Sequence, residues 1–114
     1  LGDRGKESVP LETVAERVPA VLDEFQAFLL RRATRFRDEH TVTTDDWSTF
    51  AAAVSTGWAR AWHCGDTACE DDVKARTAAS PRCIPFDAAA GSGVCVRCGA
   101  PAAYGKRVVF GRAY

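Results

Sequence analysis

Apolar positions recur at steps of three and four through the first third of the chain: Leu11, Val14, Val18, Leu22, Phe25, Leu29, Ala33 and Phe36. That spacing lays one stripe along a helix running from Leu11 to about Glu39. Glu12 and Glu16 lie early in it, and Arg31, Arg32, Arg35 and Arg37 lie late, an order that suits the helix dipole. Pro10 suits a first turn. Pro19 lacks an N–H and crowds the turn before it, so a kink or short break is expected near Val18. Thr41 to Thr44 read as a link, with Thr43 and Asp46 spaced as in a capping box. Trp47, Phe50, Ala51 and Val54 form a second, shorter stripe that Gly57 stops.

Beyond Gly57 the pattern changes. Trp58 to His63 carries aromatic residues at Trp58 and Trp62 and predicts a strand. Glu70 to Thr77 is polar with Val73 on one face, which predicts a short helix. Arg82-Cys83-Ile84 predicts a short buried strand ended by Pro85. Ala88 to Gly93 is small and flexible and predicts a loop. Arg107 to Phe110 predicts a last strand. Together these elements predict an α+β fold, with a kinked N-terminal helix and a second helix packed on a small mixed sheet.

Composition narrows the picture. The 114 residues leave room for one domain. Fifteen Lys and Arg balance fifteen Asp and Glu, which argues against a free-standing polybasic binder of DNA or of an anionic membrane. The longest apolar run, Phe50 to Val54, is far short of the ~18 residues of a membrane span. The opening residues lack the apolar middle of a signal peptide. The chain has no Met, so it is expected to be a piece of a longer protein.

The chemistry lies in the five Cys. Cys64 and Cys69 form a C-x4-C pair, and Cys95 and Cys98 a C-x2-C-G pair. Two close pairs suit four thiolates around one tetrahedral zinc, with Zn–S distances of about 2.3 Å. Gly65 and Gly99 can take backbone angles that other residues resist, which lets nearby N–H groups point at the sulfurs. Four thiolates and one Zn²⁺ sum to −2, and Arg97, Lys106 and Arg107 are close enough in sequence to offset that charge. With four cysteines filling the coordination sphere the site is structural, not hydrolytic. A redox C-x-x-C at Cys95 and Cys98 is the competing reading, but it leaves Cys64 and Cys69 unexplained; a disulfide framework fits an odd count poorly. His63 is the obvious substitute ligand, although adjacent residues on a strand point to opposite faces. Cys83 reads as a small buried hydrophobe, or as a ligand. The Arg31 to Arg37 cluster reads as a solvated helix face or as a contact to a nucleic-acid backbone. Asp45, Asp46, Glu70, Asp71 and Asp72 sit at helix starts, where acids are stabilised without any catalytic role.

These residues resemble a known family. Trp62-His63-Cys64-Gly65-Asp66, Cys69-Glu70-Asp71-Asp72-Val73-Lys74, Arg82-Cys83-Ile84-Pro85-Phe86-Asp87 and Gly93-Val94-Cys95-Val96-Arg97-Cys98-Gly99 are similar to the C-terminal zinc-binding domain of prolyl-tRNA synthetases of the archaeal and eukaryotic type. The ending Val108 to Tyr114 looks like that family's aromatic C-terminus, while Pro19 and the Ala88 to Gly93 loop depart from its pattern. The resemblance implies structural Zn²⁺, one per chain, on Cys64, Cys69, Cys95 and Cys98, a free buried cysteine at Cys83, and a C-terminal Tyr114 whose carboxylate reaches toward the catalytic domain. It implies that residues 1–10 end the linker from an anticodon-binding domain. Residues 11–114 then form the module, with a helical part 11–57 and a zinc and sheet part 58–114. The parent would be a cytoplasmic, homodimeric class II enzyme that uses ATP and Mg²⁺ to attach proline to tRNA(Pro). Its partners within the same chain would be the catalytic and anticodon-binding domains. The fragment would hold no catalytic residues. The alternative is a stand-alone, non-enzymatic zinc module that binds RNA or protein.

Overall fold

Pro10 opens the first helical segment. Its carbonyl accepts the N–H of Thr13 at 3.1 Å, closing a single 3₁₀ turn, Leu11–Thr13. Helix α1, Val14–Glu39, follows at once. The computed structural model describes residues 5–113; residues 1–4 and Tyr114 lie outside it. The chain divides into two units, Leu1–Glu39 and His40–Tyr114.

In the first unit the break expected near Val18 is absent, and α1 runs without interruption through Pro19. Pro19 removes the one hydrogen bond that its nitrogen would give to the Ala15 carbonyl. The loss falls near the start of a 26-residue helix, and the turns beyond it keep their ladder. The predicted apolar stripe is present but buries nothing: no residue of α1 is buried, and Leu22 is 58% exposed. Arg17 ties the preceding segment to the helix, donating to Glu7 at 2.7 Å and to Glu24 at 2.8 Å. The late arginines line an exposed face, with Arg37 paired to Asp38.

The second unit holds the sheet. Strand β1, Thr41–Thr43, occupies what the spacing predicts to be a link. Its Thr-Val-Thr sequence is β-branched throughout and fits an edge. Helix α2 is Trp47–Thr56, β2 is Trp58–Ala61, α3 is Thr67–Thr77, β3 is Ala79–Cys83 and β4 is Val108–Arg112. The strand order is β1-β2-β4-β3, with β1 and β2 parallel and both other pairs antiparallel. A parallel pair needs a crossover, and α2 supplies it. The cap of α2 is Asp46 itself, whose carboxylate accepts the Thr49 N–H at 2.8 Å. A capping box starting at Thr43 is therefore one turn too early.

The core lies where the helices cover the sheet. Phe50 and Val54 from α2, Val73 from α3 and Phe110 from β4 are fully buried, with Ala59, Ala61 and Ala79 filling between them. Phe110 meets Phe50 edge-on, with ring centroids 5.1 Å apart, an arrangement aromatic pairs prefer. Alternation on β2 buries Ala59 and Ala61 and turns Trp58 and Arg60 to the opposite face. Cys83, expected in a buried strand, is exposed at the end of β3, where the pairing with β4 is irregular between Pro81 and Cys83. The inward-outward register is lost at that irregularity, so the apolar neighbours of Cys83 do not bury it. No helix among the described residues is long and apolar enough to cross a membrane.

Candidate metal centre

Two turns bring the thiols together. The first follows β2. Cys64 sits in the coil after the strand, and Cys69 in the first turn of α3, where Asp66 caps the helix by accepting the Cys69 N–H at 3.1 Å. The second turn runs from Cys95 to Cys98 and is closed by Gly99, whose N–H donates to the Cys95 carbonyl at 2.9 Å. Gly65 and Gly99 have φ of 78° and 74°, left-handed values that a side chain resists. Backbone bonds join the two turns, from Val96 N–H to the Trp62 carbonyl and from Ala103 N–H to the His63 carbonyl, each at 3.0 Å.

The sulfurs meet across these turns. Cys69 Sγ lies 3.7 Å from Cys95 Sγ, and Cys98 Sγ lies 3.6 Å from Cys64 Sγ. A tetrahedron with metal–sulfur bonds of about 2.3 Å has edges of about 3.8 Å. The spacing therefore matches thiolates sharing one ion. His63 belongs to the same cluster: ligand atoms of His63, Cys64, Cys69 and Cys95 all lie within 4.8 Å of one another. The strand-alternation argument against His63 fails because β2 ends at Ala61, so His63 and Cys64 lie in coil. Its adjacency to Cys64 was the signal for this. This His/Cys cluster could hold a metal ion.

The electrostatics favour ionised sulfur at the most buried position. Burial pushes the Cys95 thiol up, but the N–H groups of Cys98, Arg97 and Cys64 are aimed at its sulfur and bring it down to about 7. Burial raises the Cys64 thiol, with the Asp66 N–H acting against it, and burial likewise pushes Cys69 well above its usual range. Without an ion these two stay protonated at neutral pH; a cation must displace their protons. The expected cationic partners are engaged elsewhere. Arg97 pairs with Asp72 and lies over the Trp47 ring, Lys106 donates to the Phe86 carbonyl, and Arg107 pairs with Asp45. Backbone N–H groups, rather than arginines, stabilise the sulfurs.

Burial also lowers the pKa of His63. The ring is 2% exposed and meets Phe110 edge-on, with centroids 5.6 Å apart. Its Nδ1 accepts the Gly65 N–H at 3.1 Å, and its buried Nε2 has no partner. Of the acidic residues at helix starts, Asp46 serves as a cap and Asp72 pairs with Arg76 and Arg97. The expected role of Tyr114 falls outside the described residues.

Fold and site together define a small α+β module, helices on a four-stranded mixed sheet with a sulfur-rich centre between two turns. Residues 47–114 match the family described as "Prolyl-tRNA synthetase, C-terminal", and the chain belongs to that family. It is 62% identical over its whole length to proline–tRNA ligase 2 of Rhodococcus jostii and 51% identical to the proline–tRNA ligase of Mycobacterium leprae. It spans 24% of the length of each of these relatives. Among solved structures it is similar to prolyl-tRNA synthetase from Cryptosporidium parvum, crystallised with halofuginone and AMPPNP. That likeness has a TM-score of 0.78 at 28% identity and covers 93% of this chain and 23% of that one.

Proposed function

We propose that the chain is the structural zinc module at the C-terminal end of an enzyme that attaches proline to tRNA(Pro) with ATP and Mg²⁺. The observation that carries this reading is the convergence of four thiols from two turns within a chain of this family. Zn²⁺ fits the donor set because it takes four sulfurs tetrahedrally without a preference from d-electrons. Cys64, Cys69, Cys95 and Cys98 would hold it. A neutral imidazole has one lone pair, and in His63 the Gly65 N–H occupies it. His63 then supports the turn and is not a ligand. With four thiolates bound, the ion supplies no open position and acts as a cross-link between the two turns.

The reading extends to the parent. The catalytic and anticodon-binding domains of the same chain are the module's immediate partners, with residues 1–10 ending the linker from the anticodon-binding domain, and tRNA(Pro) is bound by the whole. Tyr114 reaches toward the catalytic domain. The parent is a cytoplasmic homodimer of the archaeal and eukaryotic type. The likeness to the Cryptosporidium enzyme supports that type, and relatives in Rhodococcus and Mycobacterium indicate that bacteria would carry it too.

The test is metal content. Protein purified with its ion should hold one zinc per chain, Cys64→Ser and Cys98→Ser should each lose most of it, and His63→Gln should keep it. Retention by Cys98→Ser together with loss by His63→Gln would transfer the fourth position to His63. A metal-free protein with a Cys95–Cys98 disulfide would overturn the structural reading in favour of redox chemistry. In the full-length enzyme, removal of Tyr114 should lower aminoacylation while leaving the unfolding midpoint unchanged.

A further inference from the structure

The face of β2 that turns away from the core carries Arg60, and a cavity of about 280 Å³ opens beside it. Arg60, Trp62, Arg107 and Thr43 line the cavity on one side, and Pro85 with Ala88 to Ala90 on the other. The second wall belongs to the small-residue loop that departs from the family pattern. The loop lies directly on the indole: a Cβ at Gly93 would come within 2.4 Å of Trp62. Alanine side chains on this wall keep the space open and add no polar group to it.

Two arginines line the cavity, and among the described residues no acidic side chain does. Arg107 stacks on Trp62 with its guanidinium carbon 4.9 Å from the ring centroid, and its Nη1 donates to the Thr44 carbonyl and to Asp45. Arg60 has no carboxylate partner among the described residues. Its Nε is shielded from solvent and makes no hydrogen bond. That buried donor is unmatched within the protein, which is costly, and the guanidinium carries a charge that an anion in the cavity would balance.

We infer that this cavity binds a phosphate group between Arg60 and Arg107. Guanidinium matches phosphate geometry with paired donors. A phosphate has oxygens enough to serve both arginines and the Thr43 hydroxyl, whereas a carboxylate has only two. The cavity lies below the ~300–1,000 Å³ of usual small-molecule pockets, so it holds the phosphate and leaves its ester arm outside. That arm belongs to a free phosphate monoester or to an RNA backbone. The inference rests on neither the zinc nor the synthetase reading.

Titration of the metal-loaded protein with inorganic phosphate, followed by ¹H–¹⁵N NMR, tests it. The Arg60 Nε–H and Trp62 indole N–H resonances should shift saturably, with half-saturation on the order of 1 mM, and chloride at matched ionic strength should not move them. Arg60→Gln should weaken binding by about tenfold or more, and Arg60→Lys by less. Tighter binding of a short RNA hairpin than of AMP would assign the ester arm to a nucleic-acid backbone, and the reverse to a free monoester. Absence of a saturable shift at those two resonances, or equal affinity in a folded Arg60→Gln protein, would overturn the inference. Should Arg60→Gln fail to fold, the titration of the unaltered protein decides alone.

Discussion

Asp46 shows how much a single side chain settles. Its carboxylate accepts from the Thr49 backbone N–H and from the hydroxyls of Ser48 and Thr49. The Thr49 N–H is the largest influence holding its pKa below the usual carboxylate range. The ionised form is therefore the one that favours folding. Its contribution is complete above the unfolded value, near 4, and drains away as pH falls through the lower folded value. Thermal melts between pH 6 and pH 2 should show this: Asp46→Ala should lower the midpoint at neutral pH, and its deficit should shrink toward zero in acid. A deficit independent of pH would mean that the cap is not charge-dependent. At this scale the sequence was legible where chemistry is local. Cys64, Cys69, Cys95 and Cys98 announce themselves by spacing, and Gly65 and Gly99 by their position beside them. Cys83 was not legible, because its exposure depends on an irregular pairing with β4 that no local pattern records.

Among the elements, those with an apolar stripe or a cluster of apolar and aromatic residues could be read, and the shortest, β1, could not. Stripes at Phe50 and Val54 identify α2, and aromatic residues mark β2. Strand β1 has three residues and exists because β2 lies beside it, so its local pattern predicts only a link. The stripe on α1 predicts the helix that forms, yet its residues are not buried; periodicity reports a face and not what covers it. Helix α3 ends on Ala78 at φ 61°, a left-handed residue that only glycine adopts without strain. Ala78→Gly should therefore raise stability, by about 1 kcal/mol or less, as measured by chemical denaturation. In the opposite direction, Phe50→Ala removes a ring that is 0% exposed against Phe110 and should cost about 3–5 kcal/mol.

For the whole molecule, the centre and the core are neighbours: His63 packs on Phe110, and Cys95 and Val96 are buried near the same residues. Removing the proposed ion with a strong chelator should therefore disturb α3 and the ends of β2 and β4 first. Hydrogen exchange should accelerate there by more than tenfold, and α1 should be unaffected. Uniform loss of protection would mean that the ion holds up everything at once. The strand order carries a consequence of its own. β4 pairs with β2 across a wide span of chain, Ala61 opposite Val108, and such distant contacts are slow to find. An ion bridging Cys69 and Cys95 would shorten that search by closing the intervening loop early, so refolding from denaturant should be faster with zinc present than without it.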